Sequence, residues 1–274
     1  MTFGRLLNII RYSMKRQNRL LFLLLTALGL TILLTTQSER EKARVAQMPL
    51  RVPAAPAPKP KAPVIKYPMR VVESFPFSDP NALDGWEEKV FKGRVRYGIE
   101  KDKDASYVRA ASDSAASALY YKVRLDPRQS PVISWKWRVD KFPKKARPEV
   151  LETQDEHDFA GRVYVIFPAF FILNSKVLEY IWSETLPIGE TGTSPYSGNI
   201  KLTVLESGPA KDGEWRFEER DIVADYIKAF GAPPDRDIGA ISFMTNAEHT
   251  SSAAEAVYDD IKVGYKESIA SKNR

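Results

Sequence analysis

From Met69 onward, short runs of alternating apolar and polar residues recur between Gly, Pro, Asp and Asn punctuation, and a period of two predicts strands. The clearest runs are 118–123, 132–139, 162–167, 199–206, 214–219, 238–245 and 256–263. One segment instead carries a helical stripe, formed by Ile222, Val223, Tyr226, Ala229 and Phe230. Asp221 stands before it as a cap, and Gly231 and Pro233 stop it. Many strands, one late helix and no alternating βα units predict an all-β fold: a two-sheet antiparallel jelly-roll sandwich with one short α-helix.

Alternation also assigns faces. In 132–139 it puts Ile133, Trp135, Trp137 and Val139 on one side, and Ser134, Lys136 and Arg138 on the other. The Trp pair is expected in the core; an exposed platform for sugar is the alternative. In 161–167, Val163, Val165 and Phe167 oppose Arg162, Tyr164 and Ile166, and in 199–206, Ile200, Leu202 and Val204 oppose Lys201 and Thr203. If these strands are neighbours, Lys136, Arg138, Arg162, Tyr164 and Lys201 form one basic outer face. Such a face is expected to bind an acidic polysaccharide, with pairing to acids such as Glu184 and Glu206 as the alternative. Trp182 and Tyr196 are the aromatic residues expected to be open to a sugar ring.

Ahead of this domain the pattern changes. Residues 20–36 are seventeen residues without a charge, long enough at about 1.5 Å each to nearly span a hydrocarbon core of about 30 Å. Arg5, Arg11, Lys15, Arg16 and Arg19 precede this run without an acid, whereas Glu39 and Glu41 dilute the bases after it. This asymmetry predicts a single N-terminal transmembrane helix, a signal anchor in a bacterial inner membrane, with residues 1–19 in the cytoplasm and the rest in the periplasm. A cleaved signal peptide is the alternative, and it exports the same domain. Seven prolines within 48–68 predict an extended linker over 37–68. The domain is then expected over 69–266, with a tail at 267–274.

Charge sharpens the division. Residues 1–70 carry 13 Lys and Arg against 2 acids, and residues 71–274 carry 28 against 33, so a tail of +11 precedes a domain of −5. A nucleic-acid partner is not expected, because a phosphate-binding surface needs its positive charge on the folded part. The absence of cysteine removes disulfides, thiolate zinc sites and thiol catalysis.

The motifs W135-K-W137-R-V139, D158-F-A-G-R162-V-Y164-V, Y180-I-W182 and E219-R-D221-I-V-A-D225-Y226 occur in this order. Together the chain resembles a bacterial family known as domain of unknown function 3047, over roughly residues 71–264. The resemblance implies an exported or anchored β-rich domain and carries no catalytic residues. The ending A256-V-Y258-D-D260-I-K-V is also similar to the last strand of jelly-roll carbohydrate-binding modules. That likeness implies a structural calcium ion held by Glu73 with Asp259 or Asp260, carboxylates being suitable ligands; two solvated strand-end acids are the alternative.

Catalytic signals are weaker. The two histidines, His157 and His249, lie in polar loops beside Asp155, Asp158 and Glu248, and the five could gather round a metal only if the loops meet. Their spacing fits no zinc motif. A glycan-cleaving hydrolase would draw its carboxyl pair from Asp158, Glu184 and Glu248; a lyase would use His157, Tyr164 and Arg162. Asp158 and Arg162 are also spaced to form an ion pair at the start of a strand, and the hydroxyl-rich 193–199 turn could contact sugar or satisfy its own backbone. The expected function is therefore a membrane-anchored periplasmic domain that binds a polysaccharide or another envelope protein, with a glycan-cleaving enzyme as the alternative.

Overall fold

In a computed structural model, residues 68–267 are described apart from 103–104, 172–173 and 211–212. The expected leader and anchor, the linker up to residue 67, and the tail beyond residue 267 lie outside the described residues. Among the described residues, no helix is long and apolar enough to cross a membrane.

Within the described residues, thirteen strands and one α-helix form a mostly β fold. One sheet runs β11 (Arg216–Asp221), β6 (Pro131–Lys141), β13 (Ala253–Lys266), β4 (Ala105–Asp113), β3 (Arg96–Asp102), with β1 (Met69–Phe75) also paired to β13. The other runs β2 (Glu87–Lys92), β5 (Ala116–Leu125), β12 (Ile238–Asn246), β7 (Gly161–Phe167), β8 (Lys176–Ser183), β10 (Ile200–Ser207), β9 (Thr191–Thr193). Successive strands β4, β5, β6 and β7 alternate between sheets, as do β11, β12 and β13. Because β5 pairs with β12 and β6 with β13, the chain is rolled up in the manner of a jelly roll.

The sheets are held by an aromatic core. Trp135 and Trp137 of β6 are fully buried and meet Tyr180 and Trp182 of β8 across it, at ring distances of 5.5 and 5.6 Å. Phe243 of β12 packs on Trp86 and Tyr258 at 5.0 and 4.8 Å. Helix α1 (Ile222–Phe230) closes one side: Asp221 accepts from the backbone of Val223 and Ala224, Gly231 ends it at φ +76°, and Tyr226 is buried against Phe167. In the connection after β7, Ala169 N–H donates to Ser175 Oγ.

Two expectations need correction. The sandwich is not wholly antiparallel: β10 runs parallel to β8, which residues 184–199 allow by returning the chain to the start of β8. Nor do Lys136, Arg138, Arg162, Tyr164 and Lys201 share one face. β6 lies in one sheet and β7 and β10 in the other, so alternation aimed the side chains away from the core on opposite sides of the sandwich.

Candidate functional site

The pairing places two distant loops together. Lys141 at the end of β6 pairs with Glu255 at the start of β13, and Met244 near the end of β12 pairs with Arg162 at the start of β7. The β6–β7 and β12–β13 connections therefore cross between sheets at the same end of the sandwich. There the loops bring Asp158 against Glu248 and His249, with Asn246 between them.

Asn246 is the connector, 1% exposed and bonded at both ends of its amide. Its Oδ1 accepts from Arg162 Nη1 at 2.8 Å and from Phe159 N–H at 3.1 Å. Its Nδ2 donates to Asp158 Oδ1 at 2.6 Å and to Glu248 Oε2 at 2.8 Å. Asp158, fully buried, accepts on Oδ2 from the backbone N–H and hydroxyl of Thr250. Burial opposes its charge, but hydrogen bonding from His249 and Thr250 outweighs that and holds the carboxyl well below the usual range.

His249 projects to the rim, its side chain 23% exposed against 12% for Glu248. Its Nδ1 lies 2.9 Å from Glu248 Oε1 and 3.3 Å from Asp158 Oδ1, and its Nε2 lies 2.6 Å from the hydroxyl of Tyr196, in the β9–β10 turn. Burial disfavours the imidazolium, yet hydrogen bonds to the two carboxyls prevail and raise the pKa to about 9. At neutral pH both ring nitrogens therefore carry protons, and Nε2 donates to Tyr196. His157 is the opposite case. Its ring is 1% exposed, edge-on to Phe159 and Tyr196, with neither nitrogen partnered, and burial foremost pushes its pKa down to about 2.

Arg162 supports this assembly from beneath. It is 5% exposed and does not pair with Asp158. Its Nε and Nη2 donate to Glu179 of β8 at 2.7 and 2.6 Å, and Asn246 relays it to Asp158. Lys145 and Glu149 make a second buried pair nearby, 2.5 Å apart, with Lys145 over the Phe159 ring.

The other expected site residues are dispersed. Lys136 pairs with Asp260; Arg138 pairs with Asp140 and lies over Trp215; Lys201 donates to Thr193. Glu184 and Glu206 are not their partners: Glu206 faces Arg216. Tyr164 packs by Arg162, its hydroxyl near Met244 Sδ. Trp182 is not open to sugar, being 1% exposed with its indole N–H bonded to Gly208 O; Tyr196 is half-buried. In the 193–199 turn, the hydroxyls of Ser194 and Ser197 accept from backbone N–H groups of Tyr196 and Asn199. Asp155 pairs outward with Arg147. Glu73 sits opposite Val263 on β13, and Asp260 gives its carboxylate to Lys136 and Lys262. Among the described residues, the group of three that brings ligand atoms together is Asp158, Glu248 and His249.

Sequence reasoning named these three but missed Asn246, Glu179 and the role of Tyr196. Glu179 did leave a signal, as a lone acid within the otherwise apolar run 177–182. Asn246 left none.

The family model described as "Protein of unknown function (DUF3047)" matches residues 84–262. No curated protein matches the sequence. Among solved structures, the chain is similar to the CBM22-1 xylan-binding domain of Paenibacillus barcinonensis Xyn10C, with 8% identity and a TM-score of 0.39 over 74% of this chain and 99% of that one. It is similar also to the xyloglucanase domain of NopAA from Sinorhizobium fredii, with 13% identity and a TM-score of 0.39 over 71% and 96%. These likenesses concern the fold alone.

Proposed function

This chain belongs to the DUF3047 family, and for this member we propose a glycan-binding module, tethered to the bacterial inner membrane and facing the periplasm, whose ligand seats on Tyr196, His249 and Glu248. The tether rests on the uncharged run 20–36 and the charge asymmetry around it. The observation that carries the ligand site is the partly exposed phenol, imidazole and carboxyl held in fixed positions by a buried, hydrogen-bonded layer of Asp158, Asn246, Arg162 and Glu179. Sugar hydroxyls need planar donors and acceptors held in place, and an aromatic ring beside them offers a stacking surface. Two carboxyls against one imidazole favour a neutral or amino-bearing sugar over a uronate. The acidic-glycan expectation is not carried forward, because it rested on a shared cationic face. Screening the full-length chain on an array of envelope and plant polysaccharides tests the proposal. Retention of a neutral or amino sugar, lost in Tyr196→Ala, is the expected result; equal retention by Tyr196→Ala would refute the location.

A glycan-cleaving enzyme is the second reading, favoured by the Asp158–His249–Tyr196 chain of contacts. An imidazolium that two carboxylates orient and that donates to a phenol can deliver a proton by way of the Tyr196 hydroxyl to a leaving group. Release of new reducing or unsaturated ends from a retained polysaccharide, abolished by Tyr196→Phe with binding kept, would favour cleavage over binding alone.

A further inference from the structure

We propose that Asp158, Glu248 and His249 bind a divalent transition-metal ion. One potential ligand atom from each residue lies within 4.8 Å of the other two. His249 Nδ1 stands 2.9 Å from Glu248 Oε1 and 3.3 Å from Asp158 Oδ1. Ligand bonds of about 2.0–2.2 Å place neighbouring donors about 2.8–3.6 Å apart at octahedral or tetrahedral angles, so both separations need little adjustment.

The remaining atoms of the same side chains are held from outside. Thr250 holds Asp158 Oδ2, Asn246 holds Glu248 Oε2, and Tyr196 holds His249 Nε2; Asn246 also donates to Asp158 Oδ1 at 2.6 Å, which leaves that oxygen a second lone pair for the ion. Such outer contacts fix ligand orientation in metal sites, and the partner on the second ring nitrogen leaves Nδ1 as the ligating atom once the ion has displaced its proton to solvent. One imidazole with two carboxyls suits zinc or manganese; calcium takes oxygen ligands.

His157 supplies an independent reason. It directly precedes Asp158, is 1% exposed, and neither ring nitrogen has a partner in the protein. Its ring lies 5.5 Å from that of Tyr196, which lies 5.9 Å from that of His249, so it stands beside the cluster. A buried polar group without a partner is costly, and water carried by an ion supplies one.

Metal binding is read with no glycan present, so its outcome is separate from that of the glycan reading. Full-length, tag-free chain is dialysed against Zn2+ or Mn2+, retained metal is counted by mass spectrometry, and affinity is measured by calorimetry. About one equivalent is expected to be retained, with affinity falling at least about 10-fold in His249→Ala and Glu248→Gln and about 10-fold in Tyr196→Phe. Far-ultraviolet circular dichroism checks the fold of each variant. Should His249→Ala fail to fold, Glu248→Gln carries the test, since its amide still accepts from Asn246. Retention of neither ion, retention of calcium alone, or parent-like affinity in the folded variants would overturn the proposal.

Discussion

Arg162→Ala removes the guanidinium that lies beneath the site. In the parent, Nε and Nη2 grip Glu179 Oε1 at 2.7 and 2.6 Å, and Nη1 reaches Asn246 Oδ1 at 2.8 Å, between the rings of Phe159 and Tyr164. Glu179 is 2% exposed, so the substitution strands a carboxyl where water cannot replace the lost donors. Breaking a buried pair from one side costs about 3–5 kcal/mol, against about 0–1 kcal/mol for an exposed pair. For a domain of this size about 2–4 °C of Tm accompanies each kcal/mol, so a fall of about 6–20 °C is expected. Urea and thermal denaturation of the full-length chain provide the measurement. Arg162→Met combined with Glu179→Leu removes both charges, and an apolar replacement of a buried pair is often close to neutral, so the double variant should recover most of the loss. A single variant costing under about 1 kcal/mol, or a double variant no more stable than Arg162→Ala, would refute the reasoning.

Three further outcomes follow from the fold and the sequence. Trp135→Ala should cost about 3–5 kcal/mol by denaturation, whereas Trp135→Phe should cost under about 2 kcal/mol, because the buried indole N–H it removes has no acceptor. Gly264→Ala should destabilise the protein by about 1–3 kcal/mol or more, because its new Cβ would stand 2.2 Å from the backbone oxygen of Arg70; unchanged stability would contradict the β1–β13 pairing. Alkaline phosphatase fused after Pro68 should be active, and an inactive fusion would contradict export of the domain.

The strands that alternate cleanly were legible in the sequence, because period-two burial leaves a local trace. All seven expected runs lie within or overlap observed strands, and the helix appears with Asp221 and Gly231 as its caps. β2 and β3, reading EEKVFK and RYGIEKD, are charge-rich and only partly buried, and were not expected; nor were β4 and β8, which are well buried. Alternation tells which side of a strand faces the core; it does not tell which sheet holds the strand. That is why Lys136 and Arg138 were grouped with Arg162, Tyr164 and Lys201. The site was half legible for the same reason. His249 and Asp158 are 91 positions apart, and their meeting depends on β6 pairing with β13 while β7 pairs with β12. The local sequence offered two polar loops, each with a histidine beside acids. The Arg162–Glu179 pair joins adjacent strands whose register no single strand encodes.

The most direct test of the ligand site compares two places on the molecule in one binding titration. A polysaccharide retained by the full-length parent is titrated against His249→Ala, at the loop cluster, and Lys136→Ala, on the other sheet. The account predicts at least about a 10-fold loss of affinity in His249→Ala, about 1.4 kcal/mol, with Lys136→Ala indistinguishable from the parent. Parent-like binding by a folded His249→Ala protein, together with loss in Lys136→Ala, would contradict it and place the ligand on the β6 face.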